Sequence, residues 1–210
     1  MVTLDIMSDP ICPWCYIGKT HLDKALAAHG GAPFHIRWHP FQLNPDMPPE
    51  GMDRRAYLEG KFGGPDGAKA AYAPVREHAA AAGLSIDFDA ISRTPNTRDA
   101  HRLIHWAEIE DKQDAVVQAL FENYFCDGRD IGSHEVLADI ADSAGMDASV
   151  VARLLASEAD LKEIVDRDAA ARGMGVTSVP TFIVAGQHAV PGAQPPELWA
   201  KVIDEIEAAA

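Results

Sequence analysis

The chain is 210 residues long, 47% hydrophobic and 24% charged, ordinary proportions for a globular protein with a substantial core. A formal net charge of -14 argues against attachment to nucleic acid or to an anionic membrane, and three cysteines are too few for a disulfide scaffold. No apolar run approaches the length that spans a bilayer. In chain order, Val2–Met7 reads as a short strand with β-branched residues, ended by Ser8-Asp9-Pro10. Asp5 and Asp9 interrupt any signal-peptide core, which predicts a cytoplasmic protein. From Pro13 the apolar residues Tyr16, Ile17, Leu22 and Leu26 recur at helical spacing until Gly30-Gly31 stops the helix. Phe34, Ile36 and Trp38 then alternate with His35, Arg37 and His39, a strand over Phe34–Phe41 with one buried face. A strand-helix-strand unit of this kind pairs its strands in parallel.

A Pro- and Gly-containing loop follows over 44–51, and from Met52 to about Ser157 the pattern is helical. Segments centre on 56–61, 68–82, 98–112, 115–126, 134–144 and 149–156, with Pro74 expected to kink or restart the second. Asn96 or Thr97, Ser133 and Asp147 are the expected N-caps, and 84–88 a short extended piece. The C-terminal part returns to mixed structure: a helix near 158–172, strands at 181–185 and 188–190, and a last helix from Pro196 to about Ala209. The chain therefore divides into a discontinuous domain, 1–44 with 158–210, and an all-helical insertion, 45–157.

Cys12-Pro13-Trp14-Cys15 carries the chemistry. Pro13 suits a first helical turn, so Cys12 falls at the helix N-terminus, where free N–H groups and the positive dipole end favour a thiolate. Cys15, three residues on, shares its helical face and can close a disulfide with it. One sulfur can then attack a partner and the other resolve the mixed disulfide. Half of a zinc site is the competing reading, but the remaining Cys126 has no partner at metal-ligand spacing, although His21 and His39 are conceivable neighbours. Two inert buried thiols are the other alternative. Val179-Pro180, directly before the apolar run Thr181–Val184, is a place where a cis peptide is cheap and would leave the Val179 backbone free to pair with an extended ligand.

Together, Ser8–Gly18, Pro40–Pro48, Asn96-Thr97 with Ala100-His101-Arg102, Val179–Phe182 and Gly192–Pro195 resemble the thioredoxin superfamily in its DsbA-like branch, over essentially the whole chain. The combination is most similar to the FrnE-type proteins, relatives of 2-hydroxychromene-2-carboxylate isomerase and kappa-class glutathione transferases. The resemblance implies an α/β thioredoxin-like fold split by a large helical insertion, with a substrate groove between the two parts. It implies a thiol-disulfide oxidoreductase or disulfide isomerase in which Cys12 attacks, Cys15 resolves, and Pro180 in cis with Val179 forms a substrate ledge. No metal or flavin is required, because the sulfurs carry the electrons. The implied partner is a thiol- or disulfide-containing protein or small molecule, with glutathione as reductant or co-substrate, and the relatives include dimers as well as monomers.

The polar residues nearest the implied groove are His39, Asn44 and Asn96. His39 could pass a proton to Cys15, or simply be hydrogen-bonded at a strand end. The two asparagines could hold a ligand, or be turn and cap residues. Pro13 and Trp14 flank the sulfurs, and Trp14 could stack on a substrate. The alternative function is a glutathione-dependent isomerase or transferase acting on a small aromatic compound. Its resembled relatives use serine where this chain has Cys12, and carry a Ser-Asp pair where it has Ala193-Gln194.

Overall fold

The computed structural model describes residues 1–31 and 33–208. It opens with β1 (Val2–Ser8), α1 (Pro13–His29) and β2 (Phe34–Pro40). The insertion holds β3 (Met52–Asp53), α2 (Arg54–Phe62), α3 (Pro65–Ala81), β4 (Arg93–Thr94), α4 (Arg98–Ile109), α5 (Gln113–Phe125), α6 (His134–Ser143) and α7 (Ala148–Leu155). The chain then returns through α8 (Leu161–Gly173), β5 (Thr181–Val184), β6 (His188–Pro191) and α9 (Pro196–Ala208). The expected end of the last helix at Ala209 lies outside the described residues.

The four-stranded sheet has the order β2-β1-β5-β6. β1 and β2 run parallel, in register from Val2 with Phe34 to Ser8 with Pro40, while β5 and β6 add on antiparallel. β1 is central and buried from Leu4 to Ser8, whereas β2 keeps the alternation written in its sequence. α1 packs against α9 and α3, and Trp199 of α9 stands edge-on to Phe182, 4.7 Å between ring centres. Gly30 ends α1 in the left-handed region, φ 74°, its N–H bonded to the Leu26 carbonyl.

α4, α5 and α8 of the neighbouring layer pack against β2. β2 is an edge strand, and the Gln113 side chain closes it: Oε1 accepts the Trp38 N–H at 3.0 Å while Nε2 donates to the Trp38 carbonyl at 3.2 Å. Arg102 of α4, buried, donates to the carbonyls of Leu154, Ser157 and Ala159 and to Asp99. It thereby satisfies the open end of α7 and the turn that leads out of the insertion.

Three local features differ from the sequence expectation. Pro74 does not restart its helix; α3 runs through it, with Pro74 and Ala70, whose carbonyl the missing N–H leaves free, both facing solvent. Residues 84–88 form no strand, while Met52–Asp53 pairs with Arg93–Thr94, so the insertion is helical apart from this two-residue ladder. Of the expected caps, Asp147 accepts from the Ser149 and Val150 N–H groups and Asn96 from the Arg98 N–H, while Thr97 and Ser133 hold the N-cap positions without a side-chain capping bond.

Candidate active site

Cys12 is the N-cap of α1, in extended conformation, with Pro13 next. Its carbonyl accepts the N–H of Cys15 at 3.0 Å and of Tyr16 at 3.3 Å, which turns the chain tightly into the helix. The two cysteines approach to 3.5 Å, and both are unbridged thiols. They are not equivalent. Cys12 lines a cavity of about 320 Å³, while Cys15, only 1% exposed, lies behind it. Burial, then the adjacent Cys12 sulfur, hold the Cys15 thiol well above the usual cysteine range, against a smaller opposing pull from the Ser8 hydroxyl.

The Cys12 thiol donates to the Val179 carbonyl at 3.6 Å, and the Val179-Pro180 peptide is cis. Pro180 is buried against α1 at Gly18, where an added Cβ would stand 3.1 Å from the proline ring. The loop residues Thr177, Ser178 and Val179 form one wall of the cavity; Pro13 and Trp14 form another, with Trp14 edge-on to His78 at 5.1 Å. The insertion supplies the third wall. Arg54, Tyr57, Leu58 and Lys61 recur at i, i+3, i+4 and i+7, a single face of α2, and Tyr72 and Val75 of α3 stand beside them.

Pro13, Trp14 and Val179 line the Cys12 cavity, with Pro180 joined to Val179 through the cis peptide; His39, Asn44 and Asn96 do not line it. Both ring nitrogens of His39 are engaged: Nε2 donates to Asp5 at 2.7 Å and Nδ1 accepts from Arg167 at 3.0 Å. Burial lowers its pKa and the Arg167 charge adds to that, against the opposing Asp5 bond, so His39 is a neutral strut with no nitrogen left for Cys15. Asn96 donates to the Met47 carbonyl at 2.6 Å and accepts the Arg98 N–H at 3.0 Å, fastening the 44–51 loop to α4. Asn44 stands one shell away, accepting from the Tyr57 hydroxyl at 2.8 Å, while its Nδ2 is buried with no partner among the described residues.

Sequence reasoning missed the α2 face and also Asp9. Basic residues on a helix read as a solvated face, and only their i, i+3, i+7 recurrence with Tyr57 and Leu58 signals otherwise. Asp9, fully buried, accepts the N–H groups of Leu43 at 2.7 Å and Ile11 at 3.3 Å, so it pins both sides of the turn that presents Cys12. Burial pushes its carboxyl up to about 7 despite those bonds. His101 Nε2 lies 3.9 Å from Asp9 and has no hydrogen-bond partner among the described residues, and burial drives that imidazole down to about 4.

Cys126 is half-buried, its sulfur 3.9 Å from the Tyr16 hydroxyl on the far side of α1's first turn. It packs beside Phe121 and Phe125, which stack on the Tyr16 ring, as expected of a small apolar residue.

Residues 3–204 match the model of the DSBA-like thioredoxin domain. A probable DsbA oxidoreductase from Streptomyces coelicolor is 30% identical, with a TM-score of 0.87 over 100% of this chain and 92% of that one. An uncharacterized Bacillus subtilis protein, YwbO, is 27% identical over 97% of this chain and 96% of its own. The cytosolic disulfide reductase DsbM of Pseudomonas aeruginosa, in its structure with glutathione, shares 19% identity and a TM-score of 0.67 over 98% and 99% of the two chains.

Proposed function

Since the chain belongs to the DsbA-like thioredoxin family, we propose that it is a thiol-disulfide oxidoreductase working through Cys12 and Cys15. The observation that carries this reading is the inequality of the two sulfurs: one on the cavity at a helix N-terminus, one sealed 3.5 Å behind it. In the reducing direction, the Cys12 thiolate attacks one sulfur of a substrate disulfide. The Cys12–substrate bond forms as the substrate S–S bond breaks, and the departing thiolate takes a proton. Cys15 then gives up its proton and attacks the Cys12 sulfur, closing Cys12–Cys15 and expelling the second substrate thiol. Two electrons pass from the dithiol to the substrate.

The raised Cys15 pKa suits the order of events, because a resolving thiol held protonated does not compete with Cys12 for the first attack. The Val179 carbonyl and Trp14 border the point of attack and form the substrate ledge of this reading. We place the activity in the cytoplasm, where the thiol poise favours reduction over disulfide donation, and assign the regenerating electrons to glutathione. Two glutathione molecules would become glutathione disulfide as Cys12–Cys15 reopens. Among the described residues no helix is long and apolar enough to cross a membrane.

The test is insulin reduction with glutathione as electron source. Cys12→Ala should abolish it, and Cys15→Ala should accumulate a mixed disulfide visible by non-reducing electrophoresis. Wild-type rates in both variants would refute the reading.

A further inference from the structure

Arg54 is the first residue of α2 and is 5% exposed, yet it lines the same cavity as Cys12. Its guanidinium donates to the Tyr124 hydroxyl at 3.0 Å and the Tyr72 hydroxyl at 3.1 Å, and lies over both rings. Among the described residues no carboxylate lies within ion-pair distance of it. The adjacent Asp53 is spent on capping α2 through the Ala56 N–H. A buried cation without a counter-charge is costly, and proteins normally neutralise it with a paired anion. Here two neutral phenols orient the planar fork and leave its charge uncompensated at a cavity wall.

Further along the same helical face, Lys61 donates to the Tyr57 hydroxyl at 2.6 Å. The cavity therefore pairs an apolar bulk (Leu58, Val75, Trp14) with two cations on one side and the Cys12 sulfur on the other. Tyr72, which accepts from Arg54, lines the same cavity as Cys12. At about 320 Å³ the space suits a small molecule rather than a folded segment.

We propose that the Cys12 cavity is a binding site for low-molecular-weight organic acids carrying a disulfide, with Arg54 as the carboxylate anchor. This rests on the oxidoreductase reading for its chemistry but not for its binding geometry. Arginine matches a carboxylate with two parallel N–H donors, and Arg54 is pre-oriented for it by its phenol partners. The reaction consumes one acid disulfide and the enzyme dithiol, and yields two molecules of the acid thiol and the Cys12–Cys15 disulfide.

The test uses 3,3′-dithiodipropionic acid and its uncharged diamide, in single turnover with the reduced wild-type protein. Each rate is divided by that of free dithiothreitol with the same disulfide. The normalised rate should be at least about tenfold higher for the acid, the factor that 1.4 kcal/mol of selective binding produces. In Arg54→Gln the preference should collapse, and in Arg54→Lys part of it should return. Equal normalised rates with the wild-type protein overturn the proposal, whatever becomes of the variants. A preference that survives in folded Arg54→Gln overturns the assignment to Arg54 and moves it to Lys61. Faster turnover of a disulfide peptide with acidic flanks than of the dicarboxylic acid overturns the small-molecule class.

If neither disulfide is turned over, insulin reduction alone decides the redox reading, and binding is decided separately in Cys12→Ser/Cys15→Ser by tryptophan fluorescence. A tenfold tighter response to the acid than to the diamide upholds the carboxylate site, and equal responses refute it.

Discussion

The Cys12 cavity and the polar seam that joins the insertion to the sheet treat their polar groups in opposite ways. The cavity keeps its polar groups short of partners: a guanidinium with no acid among the described residues and a Cys12 thiol that meets only the Val179 carbonyl and the Cys15 sulfur. In the seam nearly every such group is spent. Gln42, Asp168 and Arg172 close on one another, with Asp168 accepting from Gln42 N–H at 2.7 Å and from Arg172 Nε at 2.8 Å. Gln113 closes the sheet edge, Arg167 bridges His39 and His105, and Arg102 uses its fork on main-chain carbonyls. Satisfied polar groups hold a fold, and unsatisfied ones at a cavity wall are where a ligand gains most.

The sharpest way to break this contrast is to remove one group from each side. Cys12→Ala should reduce turnover to background, a loss of at least about a hundredfold given the role of the attacking thiolate, with little change in the urea midpoint. Arg102→Leu should do the converse. Stripping the donor from the carbonyls of Leu154, Ser157 and Ala159 should lower unfolding free energy by about 3–5 kcal/mol in urea melts. The activity per folded molecule should stay within about twofold of wild type, the range of a surface-neutral change.

The contrast also explains which parts of the molecule were legible in the sequence. Period-2 and period-3.6 patterns located β1, α1 and β2 within a residue, and Pro13 with Gly30 marked both ends of α1. The CPWC motif and the Val179-Pro180 pair pointed to the end of the cavity where the Cys12 sulfur meets the Val179 carbonyl. Which of the two readings left open for His39 and Asn96 applies was hidden in the sequence, because a polar side chain looks the same there whether its partner is protein or ligand; both residues spend their polar atoms on protein groups. Arg54 was overlooked for the opposite reason, since a basic pair after a loop resembles solvated surface. The β3/β4 ladder was invisible, as two-residue strands carry no period.

The one place where the seam is electrically unsettled offers a finer test. Asp9 binds its proton more tightly in the folded protein, with a pKa raised from 3.8 to about 7, so its contribution to stability falls as pH rises through that interval. His101 is shifted from 6.5 down to about 4, so the unfolded chain holds that proton more tightly, and stability rises over about 4 to 6.5. In the wild type the two slopes oppose, which should leave a nearly flat profile up to about 6.5 and a decline beyond it. Asp9→Asn should expose the rising limb and His101→Gln the falling one, each amounting to roughly 3–4 kcal/mol across its window. Thermal melts at half-unit pH steps would read both, and a flat profile in either variant would dismiss the opposition.

The smallest expected effect belongs to the cavity rim. Trp14→Ala removes an aromatic wall that is already edge-on to His78, so substrate KM should rise by about five- to tenfold, the worth of one aromatic contact, with kcat little altered. A fall in kcat with unchanged KM would move Trp14 from the rim to the chemistry.

Two lysines on α1 tie that helix to the insertion. Lys19, buried, reaches Asp114 of α5 at 3.2 Å, and Lys24 donates to the Ala82 carbonyl beyond α3 at 2.7 Å. The helix that carries both sulfurs is thereby moored at two points to the same insertion that forms the opposite wall. On the reading proposed above, a cleft lashed in this way would have its bore set before anything enters and would sort substrates by calibre as well as by charge.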